Sequence, residues 1–144
     1  MAETLIIGYG NPIRGDDRLG EVVIDHLTQR ALAADLWCFH QLTPDLALRL
    51  VGYNRVVLVD ARDGSPAGQI YTQQVQPTRT MPPLLHHLTP GLLLAVTQEL
   101  YQHYPAVMLT GLLTTHFDLG APLSARVEAA LPDLLAHITR LVEG

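Results

Sequence analysis

"LIIGYGNPIRGDDRLGEVV", Leu5–Val23, decides how this chain is read. Its start belongs to a short run, Thr4–Tyr9, rich in Leu and Ile and bounded by glycine, as in a buried strand. Its end enters a segment, Arg18–Ala33, with apolar residues at Leu19, Val22, Val23, Leu27, Ala31 and Leu32, a helical spacing. Glycines and Asn11 punctuate the turn between the two. A turn needs glycine, but it does not need the adjacent acids Asp16 and Asp17.

Further along, the strand–helix alternation repeats. Leu36–Gln41 reads as a second strand. Thr43, Pro44 and Asp45 look like the N-cap and first turn of a short helix that ends at Gly52. "RVVLV", Arg55–Val59, is a strand covered on both faces, and "DARDGSPAG" is a loop. "QIYTQQVQ", Gln69–Gln76, alternates weakly, as an edge strand does. Three prolines make "PTRTMPP" a loop. Thr89 and Pro90 signal a helix from Pro90 to Gln102, and Ala106–Leu112 is another covered strand. "TTHFDLGAP" is a loop, and Leu123–Val142 is a long amphipathic helix with Pro132 inside it, either a kink or a late start. This alternation predicts a parallel sheet with helices on both faces, in one domain spanning residues 1–144.

Composition narrows the function. Net charge is −5 and Lys plus Arg total nine, which leaves no basic face for nucleic acid. No apolar run is long enough to span a bilayer, and the first residues carry no signal-peptide pattern. The single cysteine, Cys38, permits no internal disulfide and fits a cytoplasmic protein; within an apolar strand it is expected to be buried and inert.

In a doubly wound sheet, ligands sit where the strand order reverses, at the strand ends. If the first strand lies between the second and third, that crevice brings "GYGNPIRGDD" beside "DARDG", and so Asp16 and Asp17 near Asp60. Three readings of the first loop compete. A dinucleotide fingerprint has Gly8 and Gly10 but Ile13 in the third glycine position, with acids where a pyrophosphate would bind. A purely structural reading assigns the glycines to the turn and the acids to the helix dipole. A metal site would join carboxylates to an imidazole from His86 or His87, leaving coordination positions open. His40 and His116 are lesser candidates, and His26, His103 and His137 read as helix surface. No nucleophile elbow, C-x-x-C, H-E-x-x-H or Walker pattern occurs.

"GYGNPIRGDDRLG", Gly8–Gly20, resembles the G-x-G-N-x-x-x-x-D-[DE]-x-x-G signature of the hydrogenase maturation proteases. The resemblance extends to "VVLVDARDG", "HHLTPGLLLAV" and "THFDLGAPLSARVEAALP", four blocks in order over nearly the whole chain. "HHLTP" and Gln41–Pro44 look most like the subgroup that serves bidirectional, NAD-linked hydrogenases. The resemblance implies a three-layer α/β/α sandwich whose five-stranded, mostly parallel sheet has order 2-1-3-5-4 with strand four antiparallel. It implies an aspartic-type endopeptidase that trims the C-terminal extension of a [NiFe] hydrogenase large-subunit precursor after nickel insertion. Asp17, Asp60 and His86 would be its metal-reading and catalytic residues, with His87 in place of His86 as the alternative and Asp16 either a general base or a helix cap. Asp17 stands where many members carry Glu, one methylene longer. Nickel would come with the substrate rather than reside in the enzyme, since a tightly held ion would not distinguish loaded from empty precursor. A monomer is the expected state. The alternative is a non-catalytic module that checks nickel in the precursor and leaves cleavage to another enzyme.

Overall fold

Strand β1 (Thr4–Tyr9) runs through the middle of the sheet, with Leu5, Ile6 and Ile7 all at most 1% exposed. A computed structural model, describing residues 2–79 and 88–144, pairs it in parallel with β2 (Asp35–Phe39) on one side and β3 (Arg55–Val59) on the other. Next to β3, and again parallel, lies β6 (Ala106–Thr114), whose far side carries the antiparallel β5 (Ile70–Val75). These five strands follow the order that the resemblance implies, its strands four and five being β5 and β6. The sheet differs by one short addition. Arg62–Asp63, expected in a loop, forms a two-residue strand, β4, parallel to Leu113–Thr114 of β6. It resumes the line of β3 in the same register against β6, so Asp60 and Ala61 sit in a break within one continuous strand path.

Alternation along the strands feeds two cores. Ile6, Val57, Val59 and Leu112 pack with α1 (Leu19–Thr28) and α4 (Ala125–Glu143). Leu5, Ile7, Val56, Leu58, Val107 and Leu109 pack with α2 (Leu46–Leu50) and α3 (Pro90–Tyr101). The central strands β1 and β3 are apolar on both faces because each face is covered, which is the three-layer arrangement expected of a parallel sheet.

The signature glycines Gly8 and Gly20 meet across the first of these interfaces. A Cβ on Gly8 would lie 2.2 Å from the Gly20 carbonyl oxygen, and one on Gly20 would lie 2.4 Å from the Tyr9 nitrogen. Helix α1 therefore rests backbone against backbone on β1, and the loop before it stays short and close to the sheet edge.

Several element ends differ from the sequence reading. A 3-10 turn, Gly15–Arg18, precedes α1, and α1 stops at Thr28 rather than Ala33, where Gln29 and Arg30 N–H groups bond back to the His26 and Leu27 carbonyls. Helix α2 is only five residues long. Its N-cap position is Asp45, no side chain caps it, and Thr43 contributes its carbonyl rather than its hydroxyl. Pro132 lies inside α4, exposed, without ending it. Cys38 is exposed rather than buried, because β2 is an edge strand; partial desolvation and then the charges of Glu21 and Asp25 raise its thiol pKa. No described helix is long and apolar enough to cross a membrane.

Candidate functional site

Beyond the C-terminal ends of β1, β2 and β3 lies a cleft of about 560 Å³. Its walls are the β1 loop (Tyr9, Gly10, Asn11, Arg14 and Asp17), the segment after β2 (His40–Leu42), Asp60, and the entrance to α3 (Leu88–Pro90). Because β1 sits between β2 and β3, this is the point where strand order reverses, as the sequence reading placed it.

Asp16 and Asp17 are neighbours with different surroundings. Asp17 lines the cleft, half-buried, and its Oδ2 accepts the Asn11 N–H at 2.7 Å. Asn11 Oδ1 in turn accepts the Ile13 N–H at 3.1 Å, so the loop is held by its own side chains. Gly10, at φ +142°, passes so close that a Cβ there would lie 2.1 Å from the Asp17 carbonyl oxygen. Asp16 points the other way. It is fully buried and does not line the cleft. Its Oδ2 accepts the Thr114 hydroxyl at 2.6 Å and the Ser124 hydroxyl at 2.7 Å, while Oδ1 accepts the Ser124 N–H at 2.7 Å. Asp16 thus joins the 3-10 turn to the end of β6 and to the N-cap of α4. It does not cap the helix that follows it.

Asp60 follows the last residue of β3 and lines the same cleft as Asp17. Its Oδ1 is buried and has no hydrogen-bond partner among the described residues. An unpartnered buried carboxylate oxygen is costly to ionise. Burial, and then the Asp17 charge, push the Asp60 carboxyl up to about 8, against the lowering effect of the Ala61 N–H, the Tyr9 hydroxyl and Arg62. Tyr9, from the end of β1, is held well above the ordinary phenol range by burial and then by the Asp60 charge, so it stays a neutral hydroxyl at physiological pH.

His86 and His87 lie outside the described residues. The described chain resumes at Leu88, which lines the cleft, and Thr89 Oγ1 accepts the Leu92 N–H at 3.1 Å to cap α3 there. His40 lines the cleft and is exposed. His116 does not reach it; its Nε2 lies 3.1 Å from the Pro122 carbonyl. His137, read as helix surface, instead ties α4 to β5 through the Thr72 hydroxyl at 2.7 Å. Among the described residues no three His, Cys, Asp or Glu side chains come together as a metal cage. Asp17 and Asp60 line one cleft, an arrangement that can receive a cation brought from outside or hold a proton near a neighbouring charge. Sequence reasoning missed Tyr9 and Arg14, both in the quoted loop region; only the cleft geometry singles them out.

No protein-family model matches the chain, and no curated protein matches it by sequence. Solved structures do match in fold. The hydrogenase-maturating endopeptidase HybD from E. coli superposes with a TM-score of 0.83 at 18% identity, over 99% of this chain and 93% of that one. The [NiFe] hydrogenase maturation protease HycI from Thermococcus kodakarensis gives 0.76 at 20%, over 99% and 94%. The hydrogenase 2 maturation peptidase from Thaumarchaeota archaeon SCGC_AB-539-E09 gives 0.73 at 22%, over 98% of each chain. At these identities the likeness establishes the fold.

Proposed function

We propose that this chain is an endopeptidase that removes the C-terminal extension of a [NiFe] hydrogenase large-subunit precursor once nickel is in place. The carrying observation is the cleft floor: Asp17 and Asp60 face one space, and the buried Asp60 Oδ1 has no partner among the described residues. The fold neighbours named as hydrogenase maturation proteases and the four sequence blocks support the reading. Asp17, Asp60 and His86, with His87 as the alternative, contact the nickel carried by the precursor. Leu88, next in sequence to His87, lines the cleft.

The electrostatics favour a borrowed ion over a resident one. Without a cation, Asp60 holds a proton to about pH 8, so a free metal must displace that proton to bind. A precursor adds its own protein contacts to those of its nickel, and a nickel-free precursor lacks the charge that would displace the Asp60 proton. Recognition thereby precedes cleavage. Asp16 is left to a structural role by its buried hydrogen bonds. The bidirectional, NAD-linked subgroup is the proposed client class, on the "HHLTP" and Gln41–Pro44 segments.

The test uses two purified components. This protein is incubated with nickel-loaded or nickel-free precursor, and the mass of the large subunit is followed. Trimming of the loaded form alone is expected, and its loss in Asp17→Ala and His86→Ala. Equal trimming of both precursors rules out metal reading. Binding of the loaded precursor without cleavage selects the assembly-module alternative.

A further inference from the structure

The break between β3 and β4 falls at Asp60, and the surrounding chain is built around its carbonyl. The Asp60 N–H still donates to the Thr110 carbonyl of β6 at 3.1 Å. Its carbonyl instead accepts from the Tyr71 hydroxyl at 2.6 Å. Tyr71 is on β5, directly across from Gly111 of β6. The Asp60 oxygen occupies the space a side chain at 111 would need: a Cβ there would lie 1.8 Å from it, and 3.1 Å from the Tyr71 oxygen. Gly111 is thus an opening in β6 through which the Asp60 carbonyl, just past β3, and the Tyr71 hydroxyl of β5 meet. The Tyr71 ring is itself held. The Arg62 guanidinium stacks on it at 4.0 Å and donates to Gln73 Oε1 at 2.9 Å.

We infer that Tyr71 is a positioning residue: its hydroxyl, reaching across Gly111, fixes the backbone of Asp60 so that the carboxyl faces Asp17 across the cleft. The inference rests on the function proposed above, in which that carboxyl meets the precursor's nickel. Tyr71 does not line the cleft and touches no reacting atom. A backbone anchored at both its N–H and its carbonyl cannot swing, so the Cα–Cβ direction from which the carboxyl extends is set before substrate arrives. Preorganisation of this kind appears in turnover more than in binding.

Tyr71→Phe keeps the ring beneath Arg62 and removes only the hydroxyl. Thr72→Val is the control, since Thr72 is also on β5 but bonds His137 and Thr110 rather than Asp60. Two readouts are taken on folded protein: the carboxyl carbon resonance of Asp60 by NMR, and steady-state trimming of nickel-loaded precursor. The resonance is expected to move in Tyr71→Phe and stay in place in Thr72→Val. Turnover is expected to fall about tenfold in Tyr71→Phe with KM unchanged. An unmoved resonance, or turnover equal to wild type, overturns the inference. Failure of the wild type to trim any precursor overturns the proposed function instead, and the resonance then decides the positioning role on its own.

Discussion

Asp60 and Asp16 are both acids, and their environments assign them opposite thermodynamic roles. The folded Asp60 titrates near 8 against an ordinary value of 3.8. Between those values the folded chain holds a proton that the unfolded chain has released, so stability falls as pH rises through the window and the loss is complete above about pH 8. In nickel-free buffer, urea denaturation from pH 4.5 to 8.5 is therefore expected to show wild type losing on the order of a few kcal/mol relative to Asp60→Asn, which cannot ionise. Parallel curves for the two proteins would show that the carboxyl is not desolvated. Asp16 already has three hydrogen-bond donors, from Thr114 and Ser124. Asp16→Ala strands those buried donors and is expected to cost about 2–4 kcal/mol, while the remaining folded protein keeps its turnover. Lost turnover at unchanged stability would return Asp16 to the chemistry. The sequence placed these acids side by side and could not separate them. Their difference comes from Ser124, more than a hundred positions away in the chain, which no local pattern reports.

At the scale of elements, the strongly patterned segments were legible. β1, β3 and β5 fall where uniform or alternating apolar runs put them, and the Thr89–Pro90 cap of α3 forms as its chemistry dictates. Ends were less legible. Helix α1 stops five residues early although Leu32 still packs against its core, so burial of an apolar residue did not require helix there. Strand β4 was invisible because two polar residues pair only through the continued register of β3 against β6. Pro132 was the open question in α4, and its exposure explains the outcome: the Glu128 carbonyl, on an exposed residue, forgoes the bond that a residue with an N–H at 132 would donate. Pro132→Ala restores a donor at that position and is expected to raise stability by about 1–3 kcal/mol, read as a higher midpoint in thermal denaturation. An unchanged or lower midpoint would mean that the helix is bent at this point to fit the sheet, and that straightening it disturbs Leu131 and Leu135 in the core.

Across the whole molecule, the cleft draws on three strand ends and one helix entrance, so its two carboxylates are delivered by separate parts of the chain onto one rigid sheet edge. Such a frame holds Asp17 and Asp60 in place whether or not an ion is present, and in the free protein a proton on Asp60 relieves the repulsion between them. Free nickel must therefore bind against a proton on Asp60 and with no precursor contacts to assist it. In thermal denaturation, nickel alone at about 0.1 mM is expected to stabilise the protein by no more than about 0.4 kcal/mol, the value for a dissociation constant near that concentration. The small shift should grow as pH is raised from 6 to 8.5, because the competing proton leaves. Adding nickel-loaded precursor should stabilise far more than nickel-free precursor at equal concentration. A large, pH-independent shift with nickel alone would mean that the chain holds its own ion tightly, and a site already filled could not report whether the precursor carries one.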